Sequence, residues 1–409
     1  MSGRKAHIKP HAESFSTWLA VRGRVLLLLA VGTLAFGQVI APKQALERLF
    51  TVRPAQEDWF GPDFLKQVPV AMVNQIVASL EAQLGAYQGV RLEGQDFVVF
   101  FERGEVPTRI ALDEQGRITT LFFRPPRQRL KDFNEAVNAL RALPGKVSLL
   151  VLENGKELAA LNPDEPLAVG SAFKLAVLAA LKQEIEKGRL GWTSTAELKP
   201  EWKSLPSGIL QDWPDGSPLT LHTLATLMIS LSDNTAADVL IHTLGRERIE
   251  AVSPRNRPFL TTREAFILKD PNNEQWLQRY LQEDAEQRWA LLAEIKNLSL
   301  PHATSFPPKP TALEVEWFFT VRELCDLIAE VGDLSLMGVN PGLAARENWA
   351  RVAYKGGSEP GVLNLTTGLV SKSGKRYCVS ATWNNPKKTL DAAHLYTIYG
   401  GILQLLRSY

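Results

Sequence analysis

The sequence predicts an α+β protein in two folded units, a small helix-plus-antiparallel-sheet unit and a larger α/β sandwich whose sheet is built from both of its ends around a helical insert. Three observations predict it. At 409 residues the chain is long enough for a large core with a smaller companion. From residue 43 to residue 124 helical spacing comes first and alternation after it, the order of helices laid on one face of an antiparallel sheet. Beyond residue 128, strand patterns open and close the segment and helical patterns fill its middle.

Residues 1–41 read as a targeting segment. Arg4, Lys5, Lys9, Arg22 and Arg24 precede an apolar run from Val25 to Gly37 that resumes at Val39, the layout of a basic region followed by a hydrophobic one. The run falls short of the ~20 apolar residues of a membrane span. Ala35-Phe36-Gly37 offers small residues for cleavage, whereas the long basic region suits an uncleaved anchor, so both a signal peptide and a signal anchor stand open. Either one implies export to a periplasmic or extracellular location.

Residues 42–127 form the small unit. Helical patterns lie at Ala45 to Phe50 and Val70 to Leu84, and strands at Val98 to Phe101, Thr108 to Leu112 and Ile118 to Phe123, the last two joined by a turn at Asp113-Glu114-Gln115-Gly116. This order resembles the nuclear-transport-factor and ketosteroid-isomerase type of small domain, or a cystatin-like one. No acidic residue is marked as facing a pocket, so a non-catalytic packing or binding module is expected.

Pro125-Pro126 closes that block, and residues 128–409 make the second unit. A helix is expected from Leu130 to Leu143, then a hairpin of Val147 to Glu153 and Glu157 to Leu161 around Asn154-Gly155. Helical patterns run on to about Leu334. Strands return at Ala350 to Lys355, Val362 to Val370 and Arg376 to Trp383, and a last helix spans Leu390 to Leu406.

Composition narrows the function. Hydrophobic residues make up 45% and charged residues 22%, which fits a globular protein, and the net charge of +2 comes with no run of basic residues. A nucleic-acid partner is therefore not expected. The six histidines fall in no metal-ligand spacing, which excludes a His-Glu-x-x-His zinc hydrolase and leaves chemistry without metal or cofactor. Cys325 and Cys378 each sit in an apolar context and are expected as buried free thiols, a bridge between them standing open as an alternative that the sequence does not support.

Three motifs carry the chemistry. In Gly170-Ser171-Ala172-Phe173-Lys174, expected to open a helix, residues i and i+3 share a face, so the Lys174 amine reaches the Ser171 hydroxyl. Ser-x-x-Lys alone is weak, and Ser2 to Lys5 is a chance example. The second motif is Ser232-Asp233-Asn234, between two apolar helices, where helix capping is the competing explanation. The third is Lys355-Gly356-Gly357-Ser358 at a strand end, where glycines let a ligand lie against the backbone. All three in this order, on helix, loop and late strand, are not explained by capping and turn signals.

With these motifs, residues 130–409 resemble a class A β-lactamase or a related penicillin-recognising enzyme, whose signature is Ser-x-x-Lys, Ser-Asp-Asn and Lys-Thr-Gly. The two-unit layout and Leu205-Pro206-Ser207-Gly208-Ile209-Leu210 resemble more closely the clavulanate-biosynthesis esterase-like relatives. The resemblance implies Ser171 as the acylated nucleophile, Lys174 as its base and Ser232 as the proton relay to the leaving group. It implies Asn234 as holder of the substrate amide and Lys355 as positive charge toward a substrate carboxylate. Gly357 and Ser358 would line the substrate, with the N–H groups of Ser171 and Ser358 as the oxyanion hole. The partner is then a small β-lactam, ester or peptidoglycan-like substrate.

Two departures qualify this. Gly356 stands where the signature has a hydroxyl, which removes one hydrogen bond to a substrate carboxylate. No Glu-x-x-Leu-Asn segment follows Ser-Asp-Asn to supply a deacylating base. Glu264 is the nearest candidate, but Thr261 to Glu264 reads as a capping box worth ~1 kcal/mol, as does Thr320 to Glu323. The stretch Asn272 to Leu313, rich in proline at its end, is expected to cover or reshape the cleft mouth. A serine hydrolase that acylates at Ser171 is the leading expectation, and a binding protein that keeps the fold without turnover is the alternative.

Overall fold

The computed structural model describes residues 40–407, so the expected targeting segment lies outside the described residues, apart from its last two positions. Helix α1 (Pro42–Thr51) opens on a proline, whose missing N–H is unsatisfied at a first turn in any case, and buries Ala45, Leu46, Leu49 and Phe50 along one stripe. A short α2 (Pro62–Gln67) precedes α3 (Val70–Leu84), which buries Val73, Val77, Leu80 and Leu84 at helical spacing. Strands β1 (Tyr87–Glu93), β2 (Asp96–Phe101), β3 (Gly104–Leu112) and β4 (Ile118–Phe123) follow as an antiparallel meander, with β5 (Arg127–Gln128) added beside β3. Phe50 stacks on Tyr87 at 5.2 Å and meets Phe101 edge-on at 5.5 Å, joining α1 to the sheet. Strand β1 has no counterpart in the sequence reading because Tyr87–Glu93 buries only Val90 and so carries no apolar alternation.

Helix α4 (Phe133–Arg141) is capped by Asp132 and leads into the hairpin β6 (Lys146–Glu153) and β7 (Lys156–Leu161). Its turn residues, Asn154 at φ 49° and Gly155 at φ 79°, have the two positive φ values that a two-residue hairpin requires. After β8 (Leu167–Ala168) comes α5 (Lys174–Glu186), buried almost all round and therefore a central core helix. A two-stranded ribbon of β9 (Thr195–Glu197) and β10 (Pro218–Thr220) precedes α6 (Leu221–Ser230) and α7 (Asn234–Leu244).

Next come α8 (Arg246–Val252), α9 (Thr262–Lys269), α10 (Glu274–Gln282) and α11 (Ala285–Ile295), then β11 (Phe318–Phe319), which pairs with β8. Helix α12 (Val321–Val331) leads to β12 (Arg351–Glu359), β13 (Val362–Val370), β14 (Arg376–Asn384) and a final α13 (Ala392–Leu406). The sheet order β12-β13-β14-β6-β7 joins strands from both ends of the segment, as expected. One apolar layer, with Phe133, Trp383, Tyr399 and Ile402, packs α4 and α13 on one face; a second, with Phe173, Leu178, Leu240 and Ile328, packs α5, α7 and α12 on the other.

The amino-terminal helices and sheet are tied to α13. Gln83 donates to Thr397 at 3.1 Å, Arg407 pairs with Glu93 at 2.9 Å, and Gly401 lies close against the Gln128 carbonyl and Leu130. Among the described residues no helix is long and apolar enough to cross a membrane.

The expected free thiols are corrected. Cys325 on α12 and Cys378 on β14 form a disulfide with Cα atoms 5.8 Å apart. Both contexts are apolar because the helix lies on the sheet there, and a partner 53 residues away leaves no local signal. Closing a loop of that length restricts the unfolded chain, so Cys325→Ala/Cys378→Ala should lower the unfolding free energy by roughly 2–4 kcal/mol. Denaturant titration checks this: reductant should shift the midpoint of the wild type down and leave the double variant where it is.

Candidate active site

The turn that carries Ser171 differs slightly from expectation. Gly170–Phe173 is a 3-10 turn, and the α-helix begins only at Lys174. In a 3-10 turn residues i and i+3 eclipse each other, which keeps the pair facing. Lys174 Nζ lies 3.2 Å from Ser171 Oγ. Strand β12 runs hard against this turn: a Cβ on Gly357 would collide with the Val169 carbonyl and the Ser171 and Ala172 amides. That contact brings the backbone of Ser358 beside the turn, its N–H 3.1 Å from where a Cβ on Gly170 would stand.

The Ser-Asp-Asn loop is held from beneath. Asp233 caps α7 by accepting from Ala236 N at 2.8 Å, and its other oxygen accepts from Ile209 N at 2.7 Å and Leu210 N at 3.0 Å. Asn234 donates to the Leu205 carbonyl at 3.0 Å, and Ser207 Oγ donates to the Ser232 carbonyl at 2.7 Å. These bonds hold Ser232 at φ 57°, a left-handed conformation that costs a serine of order 1–3 kcal/mol. The segment Leu205 to Leu210 is thus the clamp of this loop, a role that its residue types alone do not reveal.

Lys174 is fully buried, and its amine meets four oxygens. Nζ is 2.6 Å from the Ser232 carbonyl, 2.6 Å from Asn234 Oδ1, 3.2 Å from Ser171 Oγ and 3.3 Å from Ser232 Oγ. A neutral amine has two N–H groups and one lone pair. The two shortest contacts go to acceptors that cannot donate, which leaves the lone pair for a hydroxyl. Burial drives the Lys174 pKa well below its ordinary value, the charge of Lys355 drives it further, and Asp238 and Asp233 oppose both. Lys355, also buried, donates to Ser232 Oγ at 3.0 Å and to the Gly356 carbonyl, and burial brings its pKa down to about 7. Ser232 Oγ therefore stands between two amines.

Ser171, Ser232, Asn234, Lys355, Gly357 and Ser358 all line one cleft of about 560 Å³, and Lys174 sits in its floor. Both ends of the Asn234 amide are engaged within the protein, which leaves one N–H and one lone pair for a ligand. The cleft wall also carries a buried group that the sequence reading missed: Lys269 pairs with Glu316 and with Glu359, the latter at 2.8 Å. Burial and the neighbouring Glu316 push the Glu359 carboxyl up to about 8. Pro206, Phe266, Lys269, Glu359 and Pro360 also line a side cavity of about 220 Å³ whose far wall is Ala303, Phe306 and Pro307. The proline-rich stretch thus walls the side cavity that adjoins the cleft.

Glu264 is a structural residue. It forms the capping box with Thr261, and both of its oxygens also bind Arg246, at 2.8 Å for the longer contact. Thr320 and Glu323 form the second box. Because Glu264→Gln leaves a buried guanidinium without its carboxylate, the cost should be about 3 kcal/mol rather than that of a cap alone. Thermal unfolding should register that loss as a lowered midpoint for Glu264→Gln against wild type.

Residues 129–263 match the β-lactamase enzyme family. Over 112 residues the chain is 29% identical to the β-lactamase VEB-1 of Pseudomonas aeruginosa, a match that spans 26% of this chain and 37% of that relative. Among solved structures, a β-lactamase from Sphaerobacter thermophilus DSM 20745 is 21% identical with a TM-score of 0.46, covering 66% of this chain and 95% of its own. PBP-A is 17% identical with a TM-score of 0.46, covering 70% and 100%. The stretch that holds the serine–lysine pair and the Ser-Asp-Asn loop is similar to the β-lactamase enzyme family.

Proposed function

We propose that the chain is an exported serine hydrolase that forms an acyl-enzyme at Ser171 with an ester, a β-lactam or a D-alanyl-type substrate. The observation that carries this reading is the buried Lys174 amine, whose two N–H groups are directed to carbonyl-type acceptors and whose remaining face meets the Ser171 hydroxyl at 3.2 Å. Neutral Lys174 takes the Ser171 proton as Oγ bonds to the substrate carbonyl carbon, and the N–H groups of Ser171 and Ser358 receive the oxyanion. As the bond to the leaving group breaks, Ser232 passes it a proton and is resupplied by Lys174, which lies 3.3 Å away. Water then enters the same path, Lys174 again taking a proton, and releases the acyl group.

Deacylation is slow in this reading. Glu264 is committed to Arg246, and the acidic groups on the cleft wall, Glu316 and Glu359, are committed to Lys269. This favours an esterase or a weak lactamase over a fast one, of the two-unit kind that clavulanate-biosynthesis esterase-like relatives resemble. The amino-terminal unit is a non-catalytic module of nuclear-transport-factor type that packs on α13. Export is supported by the disulfide, since such bonds persist in oxidising compartments.

Intact-protein mass spectrometry after incubation with benzylpenicillin tests the central step. A covalent adduct is expected on wild type, persisting for minutes, and none on Ser171→Ala; equal labelling of both would remove Ser171 from the mechanism. The pH profile is a second test. Acylation needs neutral Lys174, so it rises with pH through a limb well below the ordinary lysine range. Lys355 carries its charge below about 7 and loses it above, so kcat/KM for an anionic substrate should fall on the alkaline side of about 7. A neutral ester, which has no carboxylate to attract, should lack that descending limb.

A further inference from the structure

The bond that Ser171 attacks divides the cleft in two. Strand β12 runs from Lys355, whose amine donates to Ser232 on the leaving-group side, through Ser358 at the oxyanion, to Glu359. The acyl part of a substrate therefore extends toward Glu359. There the wall holds Lys269 between two carboxyls, its amine 2.8 Å from both oxygens of Glu359 and paired with Glu316. Glu316 and Lys269 are nearly closed off from water, whereas the Glu359 side chain keeps 25% of its surface exposed and lines both the cleft and the side cavity. Burial lowers the Lys269 pKa, but the charges of Glu316 and Glu359 outweigh it, so the ammonium keeps its proton. Two carboxylates against one ammonium leave one negative charge over. Among the described residues, no amine, amide or hydroxyl donates a hydrogen bond to the buried Oε2 of Glu316. The Glu359 carboxyl stands within hydrogen-bonding reach of Glu316, which two carboxyls do only with a proton between them. A proton thus occupies the place of a second cation.

We propose that Glu316, Glu359 and Lys269 form a subsite for an ammonium group on the acyl side of the substrate, with the apolar body of that acyl group in the side cavity against Phe266, Phe306 and Pro307. This assignment rests on the acyl-transfer reading of the cleft and adds to it the chemical class of the acyl donor. An arriving ammonium replaces the proton held between the carboxyls. The O–H bond of Glu359 breaks, its proton leaves to solvent, and the carboxylate so formed accepts from the ammonium N–H groups. No charge is then buried without a partner, because two carboxylates face two ammonium groups. Lys309 also borders the side cavity, but its exposure to water screens its charge. A neutral acyl group meets the same wall with its proton in place and gains only apolar contact with the rings.

Ampicillin and benzylpenicillin test this, since they differ only in an ammonium on the acyl side chain. At pH 6 that amine and Glu359 both carry protons. The ratio of acylation efficiencies, ampicillin over benzylpenicillin, should be about tenfold or more in wild type and fall close to one in Glu359→Gln, the neutral isostere of the protonated acid. A ratio near one in wild type, or a high ratio that survives in Glu359→Gln, would overturn the subsite. Calorimetry on Ser171→Ala, in which the cluster is untouched, reads the exchange without a covalent step. Ampicillin should bind more tightly than benzylpenicillin, and its heat should change with the ionisation enthalpy of the buffer because a proton is released; the heat of benzylpenicillin should not. Equal affinities, an ampicillin heat independent of buffer, or binding of neither compound removes the subsite. If wild type is acylated by neither compound while Ser171→Ala keeps both the preference and the released proton, the acyl-transfer reading fails and the subsite stands. Acylation of both compounds with equal efficiency upholds acyl transfer and removes the subsite.

Discussion

The arrangement depends on one buried amine. Lys174 lies at the start of a largely buried helix, and its amine is solvated by oxygens from the helix's own turn and from the Ser-Asp-Asn loop. Taking a charged ammonium out of water costs far more than a few such contacts return, so the group resolves the conflict by giving up its proton. A second buried lysine, Lys355, raises the penalty further because two cations separated by one hydroxyl repel each other. What makes the site costly as structure makes it useful as chemistry, since a neutral amine beside a serine is a base.

Several features away from the chemistry serve to hold that amine in place. The strained backbone of Ser232 persists because Asp233, Asn234 and Ser207 tie the loop to the segment from Leu205 to Leu210. Gly208 allows that segment to lie directly against Asp233, where any side chain would collide. On the other side, Gly357 lets β12 come close enough to the serine turn for two backbone N–H groups to converge. Asp238, fully buried, accepts from Thr262 N and Arg263 N at 2.7 and 2.8 Å and so fixes the start of α9, which forms part of the cleft wall. Burial pushes this carboxyl up to about 7.

Much of this was legible in the sequence, for identifiable reasons. Helices α3 and α4, the hairpin at Asn154-Gly155 and the three late strands carry strong periodicity or a turn that only certain residues adopt. The serine, lysine and loop motifs were found because each is short and local, and the structure brings Ser171, Lys174, Ser232, Asn234 and Lys355 together. What escaped is non-local. The Cys325–Cys378 bridge, the Lys269, Glu316 and Glu359 cluster and the clamp at Leu205 to Leu210 join residues far apart in the chain, and no pattern of spacing announces them.

The titration of Lys174 tests this view most directly. With the lysine side chains labelled with carbon-13 and the Lys174 signal assigned by its loss in Lys174→Arg, its pKa should lie well below the ordinary lysine value. In Lys355→Met it should move upward, because a neighbouring positive charge has been removed. A Lys174 that titrates like an exposed lysine, and does not respond to the loss of Lys355, would contradict the claim that burial beside a second amine makes the base.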